Sequence, residues 1–85
     1  MEVAYNTKAL EDIQYCKKSG NKKLQQKISE LIEDIKQHPF TGLGKPEPLK
    51  FELTGKWSRR IDKENRIVYT VASSQIQVFS LKGHY

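Results

Sequence analysis

Apolar residues fall on two different periods along this chain. Val3 and Tyr5 alternate with polar neighbours, as in a short strand. Thr7 then offers a hydroxyl N-cap for a helix over roughly 8–18. Its inward positions would be Leu10 and Ile13, with Tyr15 or Cys16 as the third. Gly20-Asn21 breaks that helix, and Asn21 can cap the next. In the second helix Leu24, Ile28, Leu31, Ile32 and Ile35 form one continuous stripe. Lys22, Lys23, Lys27, Glu30, Glu33 and Lys36 take the outer positions, and Pro39 stops the helix after His38. So few residues join the two helices that an antiparallel hairpin is expected.

Residues 39–48, PFTGLGKPEP, hold all three prolines and two of the five glycines, which predicts a loop. Beyond it the period changes to two. Leu49, Phe51 and Leu53 alternate with Lys50 and Glu52, the pattern of a half-buried strand. Further strands are expected at Trp57 to Asp62, Arg66 to Ala72 and Gln75 to Lys82, with turns at Thr54-Gly55, residues 63–65 and Ser73-Ser74. Short connections predict an antiparallel meander. The expected fold is α+β, in the order β-α-α-β-β-β-β: an antiparallel sheet covered on one face by an N-terminal helical hairpin, as a single domain over residues 1–85. A three-residue hairpin loop at 63–65 would place Trp57, Arg59, Ile61, Ile67, Tyr69 and Val71 on the covered face. Ser58, Arg60, Asp62, Arg66, Val68 and Thr70 would then lie on the open one.

Composition narrows the class. A chain of 85 residues supports one core. Its hydrophobic fraction of 36% is lean, yet the periodic clustering argues against disorder. No apolar run exceeds three residues, which excludes a transmembrane helix. Glu2 stands where a signal peptide carries basic residues, and no apolar stretch follows it. The lone cysteine, Cys16, has no second cysteine to pair with and is expected in the core of the first helix. The expectation is a small, soluble, cytoplasmic domain. Its formal charge of +5 is unevenly spread. Residues 1–44 carry seven basic and six acidic side chains, whereas residues 45–85 carry eight and four. A basic half with Trp57, Tyr69 and Tyr85 among its cations suits a polyanion, although a positive surface also serves plain solubility.

Four groups in that half bear on chemistry. Glu47 sits between Pro46 and Pro48, so a stiff backbone holds its carboxylate, as a general base or as a solvated acid in a turn. His84 is the side chain best suited to exchange protons near neutral pH, and Tyr85 after it offers a stacking ring. Arg59, Arg60 and Arg66 are the only arginines and fall within eight positions. Each can grip phosphate bidentately or pair across strands, Arg66 with Asp62 for example. Lys50 is a further phosphate candidate. Together a carboxylate, an imidazole and an arginine can cut RNA without a metal or cofactor. No carboxylate or histidine cluster has metal-ligand spacing, and Gly42-Leu43-Gly44-Lys45 follows a helix, not a strand as a P-loop does.

The segments HPFTGLGKPEPLK at 38–50 and LTGKWSRRIDKENRIVYTV at 53–71, with the terminal GHY at 83–85, closely resemble the YoeB/Txe family of toxins within the RelE/ParE superfamily. The resemblance implies a ribosome-dependent endoribonuclease that cuts mRNA in the A site of the 70S ribosome. It implies Glu47 as general base, His84 as general acid, Arg66 as the arginine that stabilises the transition state and Tyr85 as the aromatic that orients the substrate. Lys50, Arg59 and Arg60 match basic positions near the site and the ribosomal RNA surface. A YefM-type antitoxin is the implied partner, and family members form homodimers and toxin–antitoxin heteromers. Two alternatives on the same fold are a non-catalytic inhibitor like the gyrase-poisoning ParE branch and a plain ribosome- or RNA-binding module. Glu47, Arg66 and the His84-Tyr85 ending speak against the ParE branch.

Overall fold

The computed structural model describes residues 2–83. Strand β1 (Glu2–Tyr5) leads into helix α1 (Thr7–Ser19) and helix α2 (Lys22–Gln37). After the proline-rich loop come β2 (Glu47–Pro48), a 3-10 turn at Phe51–Leu53, β3 (Trp57–Arg60), β4 (Arg66–Ala72) and β5 (Gln75–Ser80). The sheet order is β1-β5-β4-β3-β2. From β2 to β5 it is the expected antiparallel meander. β1 runs parallel to β5 at the edge, so the sheet is mixed and not wholly antiparallel. Local turn signals foretell hairpins; they carry nothing about pairing between segments some seventy positions apart.

Both helices lie on one face. The stripe of α2 buries Ile28, Leu31 and Ile35, with Leu24 and Ile32 packed at its margin, against Ile67, Tyr69, Ile76 and Val78. Asn21 caps α2 by accepting from the Leu24 amide at 3.0 Å, as expected. α1 places Ile13 and Cys16 inward as expected, and departs from expectation in its cap and in the rest of its buried face. Asn6, not Thr7, is its cap, its Oδ1 accepting from the Ala9 amide at 2.9 Å. Ala9, Asp12 and Cys16 form the buried face, while Leu10 and Tyr15 are exposed. The buried line thus runs through a small residue and an acid, neither of which a search for large apolar side chains selects.

Two further expectations are corrected. Residues 49–53 are not a strand: only Glu47–Pro48 pair with β3, and Leu49 is buried while Phe51 turns out to solvent. The β3–β4 register pairs Arg60 with Arg66 and Trp57 with Tyr69, two residues away from that of a three-residue loop. Asp62 causes the longer loop by accepting from the amides of Glu64 and Asn65 at 2.9 and 2.8 Å. A shift of two leaves every side chain on its face, so the expected face assignments hold for the paired residues.

Candidate functional site

Glu47 reaches the sheet at the end of a loop that one buried arginine organises. Arg59 projects from β3 beneath the helices and is 0% exposed. Its guanidinium pairs with Asp34 of α2 and donates to the carbonyls of His38, Thr41 and Leu43, the last two at 2.7 and 3.1 Å. Its Nε donates to the Tyr69 hydroxyl at 3.2 Å, and that hydroxyl donates to the Pro39 carbonyl at 2.7 Å. Asp34 also accepts from the Leu43 amide at 3.0 Å. The hydrogen bond from Arg59 holds the Asp34 carboxyl below the usual carboxylate range. Burial pushes the Tyr69 hydroxyl up, against the opposing pull of Arg59.

This network fits chain that has little room. A Cβ at Gly42 would overlap the Asp34 carboxylate, and one at Gly44 would sit 2.9 Å from the Arg60 carbonyl. Both glycines have positive φ. The Gly44 carbonyl accepts from the Arg60 amide at 2.6 Å, and the Phe40 ring packs on Trp57 with centroids 4.8 Å apart. The loop is therefore fixed to β3 immediately before it delivers Glu47 to pair with Ser58.

Direct cross-strand neighbours share a face, so the register places Glu47, Ser58, Val68, Arg60 and Arg66 together on the face away from the helices. β3 lies between Glu47 and β4, and Arg66 is two residues along β4 from Val68, so Glu47 and Arg66 stand roughly 12 Å apart on the sheet, within span of two long side chains. Glu47, Lys50 and Arg60 are exposed and Arg66 is half-buried. The face is not bare, since Ser58 and Val68 are buried on it. The Ser58 hydroxyl, beside Glu47 in register, has no hydrogen-bond partner among the described residues. Nearby on β5, Phe79 carries the Lys56 ammonium 4.3 Å above its ring.

The chain beyond β5 is brought to Arg66 and held there. The Arg66 amide donates to the Gly83 carbonyl at 3.2 Å, and the Gly83 amide donates to Asn65 Oδ1 at 2.8 Å. Asp12 of α1, a buried carboxylate, accepts from the amides of Leu81 and Lys82 at 2.9 and 3.1 Å. Lys8 closes the other side of that carboxylate at 2.8 Å. Three elements thus fix the backbone up to Gly83. His84 and Tyr85 lie outside the described residues.

Of the expected site residues, the register brings Glu47, Arg60 and Arg66 to one sheet face, while Lys50 follows β2 towards the Lys56 end of β3. Arg59 is the correction. Expected among the RNA-facing cations, it spends its donors on protein oxygens, and no part of it meets solvent. Its place in the alternation already put it on the covered face. Asp12 and Asn65 escape a reading of the sequence because they answer backbone amides of distant segments, and Asp34 because it answers Arg59 on another element together with the Leu43 amide. For Asp12 a signal exists, an acid in phase with Ala9 and Cys16 on the apolar side of α1.

A family model described as YoeB-like toxin of bacterial type II toxin-antitoxin system matches residues 5–85. A protein named Toxin YoeB from Synechocystis is 42% identical over 85 residues, covering 100% of this chain and 98% of its own. Among solved structures, a YoeB/ParE toxin from Agrobacterium tumefaciens superposes with a TM-score of 0.95 at 38% identity, covering both chains fully. From Staphylococcus aureus, a chain of a YoeB-YefM complex gives 0.89 at 43% identity and a YoeB dimer 0.89 at 42%, each covering 100% of this chain and 98% of the other.

Proposed function

This chain belongs to the YoeB-like toxins of bacterial type II toxin–antitoxin systems, and on that premise we propose that it is a ribosome-dependent endoribonuclease that cuts mRNA in the A site. The observation that carries this reading is Glu47 and Arg66 on one sheet face, with β3 between them, on the basic half of the molecule. Glu47 takes the proton of a ribose 2′-OH. The freed oxygen bonds to the adjacent phosphorus as the bond from phosphorus to the 5′-oxygen breaks, leaving a cyclic phosphate and a 5′-hydroxyl. Arg66 stabilises the charge that builds on the phosphoryl oxygens. His84 gives its proton to the departing oxygen, and Tyr85 stacks on a base to hold the nucleotide in line. Every proton and charge in this scheme is handled by a side chain, so it calls for no metal or cofactor. Arg60 and Lys50 bind RNA phosphates.

The partners follow from the same premise. A YefM-like antitoxin silences the toxin in a heteromer, the free toxin forms a homodimer, and the site of action is the cytoplasm, where the 70S ribosome and mRNA are. Among the described residues no helix is long and apolar enough to cross a membrane.

The test is Glu47→Gln on a defined mRNA in translating ribosomes. The variant keeps the proline frame and the exposed position, so it folds like the native protein while its single-turnover cleavage falls by about 100-fold or more. Cleavage at the native rate removes Glu47 from the mechanism.

A further inference from the structure

Phe51 stands out on two independent grounds. Its ring is 89% exposed, although the core is apolar and the chain is lean in aromatics. Its φ of 59° lies in the left-handed region, which bulky residues rarely enter and glycine enters freely. A short turn keeps it there: the Leu53 amide donates to the Lys50 carbonyl at 3.1 Å, and both the amide and the hydroxyl of Thr54 donate to the Phe51 carbonyl, at 3.1 and 2.7 Å. Strain of this kind persists where the surroundings over-determine it, and it gathers at ligand contacts.

The turn holds the ring at a defined place. Phe51 shares a groove of about 660 Å³ with Glu47, Pro48, Leu49, Lys50, Glu52 and Leu53. The groove therefore contains two carboxylates, a cation and an unburied π-face within six consecutive positions, with the cation directly beside the ring. Pro48 and Leu53 give the groove apolar walls, while the chain neighbours of Phe51, Lys50 and Glu52, are both exposed, so charge flanks the ring itself. A cation beside an exposed aromatic face matches the alternation of phosphate and base along a single RNA strand.

We propose that Phe51 is a base-stacking residue: its ring receives the nucleobase of a nucleotide next to the scissile linkage, with Lys50 on the adjoining phosphate. This rests on the nuclease reading and assigns to that site a substrate-positioning contact. Phe51 touches the substrate away from the reacting atoms, so it acts on how the RNA is held.

The experiment compares Phe51→Ala, Phe51→Leu, Phe51→Trp and Phe51→Gly with the native protein in steady-state cleavage of a defined mRNA in translating ribosomes, with thermal unfolding in parallel. Removing one base–aromatic stack should lower kcat/KM roughly 5- to 150-fold, chiefly through KM. Phe51→Trp retains an aromatic face and should keep near-native cleavage. Phe51→Leu should behave like Phe51→Ala, because it is apolar without a π-face. Phe51→Gly should unfold at the native temperature or above, because it relieves the backbone, and should cleave as poorly as Phe51→Ala. Native-like cleavage by Phe51→Ala or Phe51→Leu would overturn the stacking role and leave the nuclease reading standing. Native-like cleavage by Phe51→Ala with lost antitoxin binding would overturn it in favour of a protein anchor. A fall in unfolding temperature that tracks the loss of cleavage would make the residue structural. If the native protein itself does not cut, the nuclease reading fails and this inference fails with it.

Discussion

Arg59 separates two ways in which an arginine can matter to an RNA-cleaving site. A cation that touches RNA can be removed without harm to the fold. Arg59 instead gathers three loop carbonyls and the Asp34 carboxylate, and a buried pair that loses one member leaves an uncompensated charge. Arg59→Leu is expected to cost about 3–5 kcal/mol, read as a shift of the urea midpoint, with loss of cleavage following from a loosened Glu47 loop. Native stability in that variant would return Arg59 to the RNA surface. Asp34 adds a pH dependence. Its folded pKa lies below the unfolded value, so its contribution is present above the ordinary carboxylate range and is lost as pH falls through the folded pKa. Stability of the native protein should therefore drop on acidification below about pH 4. In Asp34→Asn that part of the acid slope should vanish from a lower starting stability. An unchanged slope would mean that other carboxylates carry it.

At the scale of elements, α1 acts on the site through Asp12. Its carboxylate joins the helix to the backbone of Leu81 and Lys82, and the next hydrogen bonds join Gly83 to Asn65 and Arg66. The Lys8 ammonium lies at the surface while the carboxylate is buried, so solvent screens only one side of that contact. Asp12→Ala should cost about 2–4 kcal/mol by leaving two amides unpaired, and should speed hydrogen exchange at Leu81 and Lys82 more than at the β3 amides. Equal protection at Leu81 and Lys82 in variant and native protein would contradict the clamp. This device also marks the limit of reading elements from sequence. The stripe of α2 and the meander of β3 to β5 were legible because periodicity and turn residues are local. In α1 Ile13 and Cys16 were legible, but Asp12 was not, because it is a carboxylate answering amides about 70 positions away, a distance no spacing rule reaches. Likewise Leu49, Phe51 and Leu53 mimic a strand, but β2 ends at Pro48, which as a proline has no amide to give to the ladder.

For the whole molecule the charge asymmetry acquires a geometry. The face bearing Glu47 also bears Arg60 and Arg66, and Lys50 follows on the same loop. Ribosome association is expected to weaken with salt as counterions are released from RNA phosphates. Arg60→Gln should reduce the log–log salt slope by about one contact. A binding constant indifferent to salt would point to docking on ribosomal protein. Within the candidate site, Arg66 was expected on the open face and lies there, and the register adds Glu47 to that face. Which arginine is buried and which is exposed was decided by strand alternation and by the oxygens waiting beneath α2, and only the second needed the structure. The central claim is cleavage of mRNA on the ribosome. It is tested most directly by primer extension on a defined mRNA, with and without translating ribosomes, using the native protein and His84→Ala. A cut at the A-site codon that requires ribosomes and is lost in the variant is the expected result. A native protein that binds ribosomes and leaves the mRNA intact would contradict it.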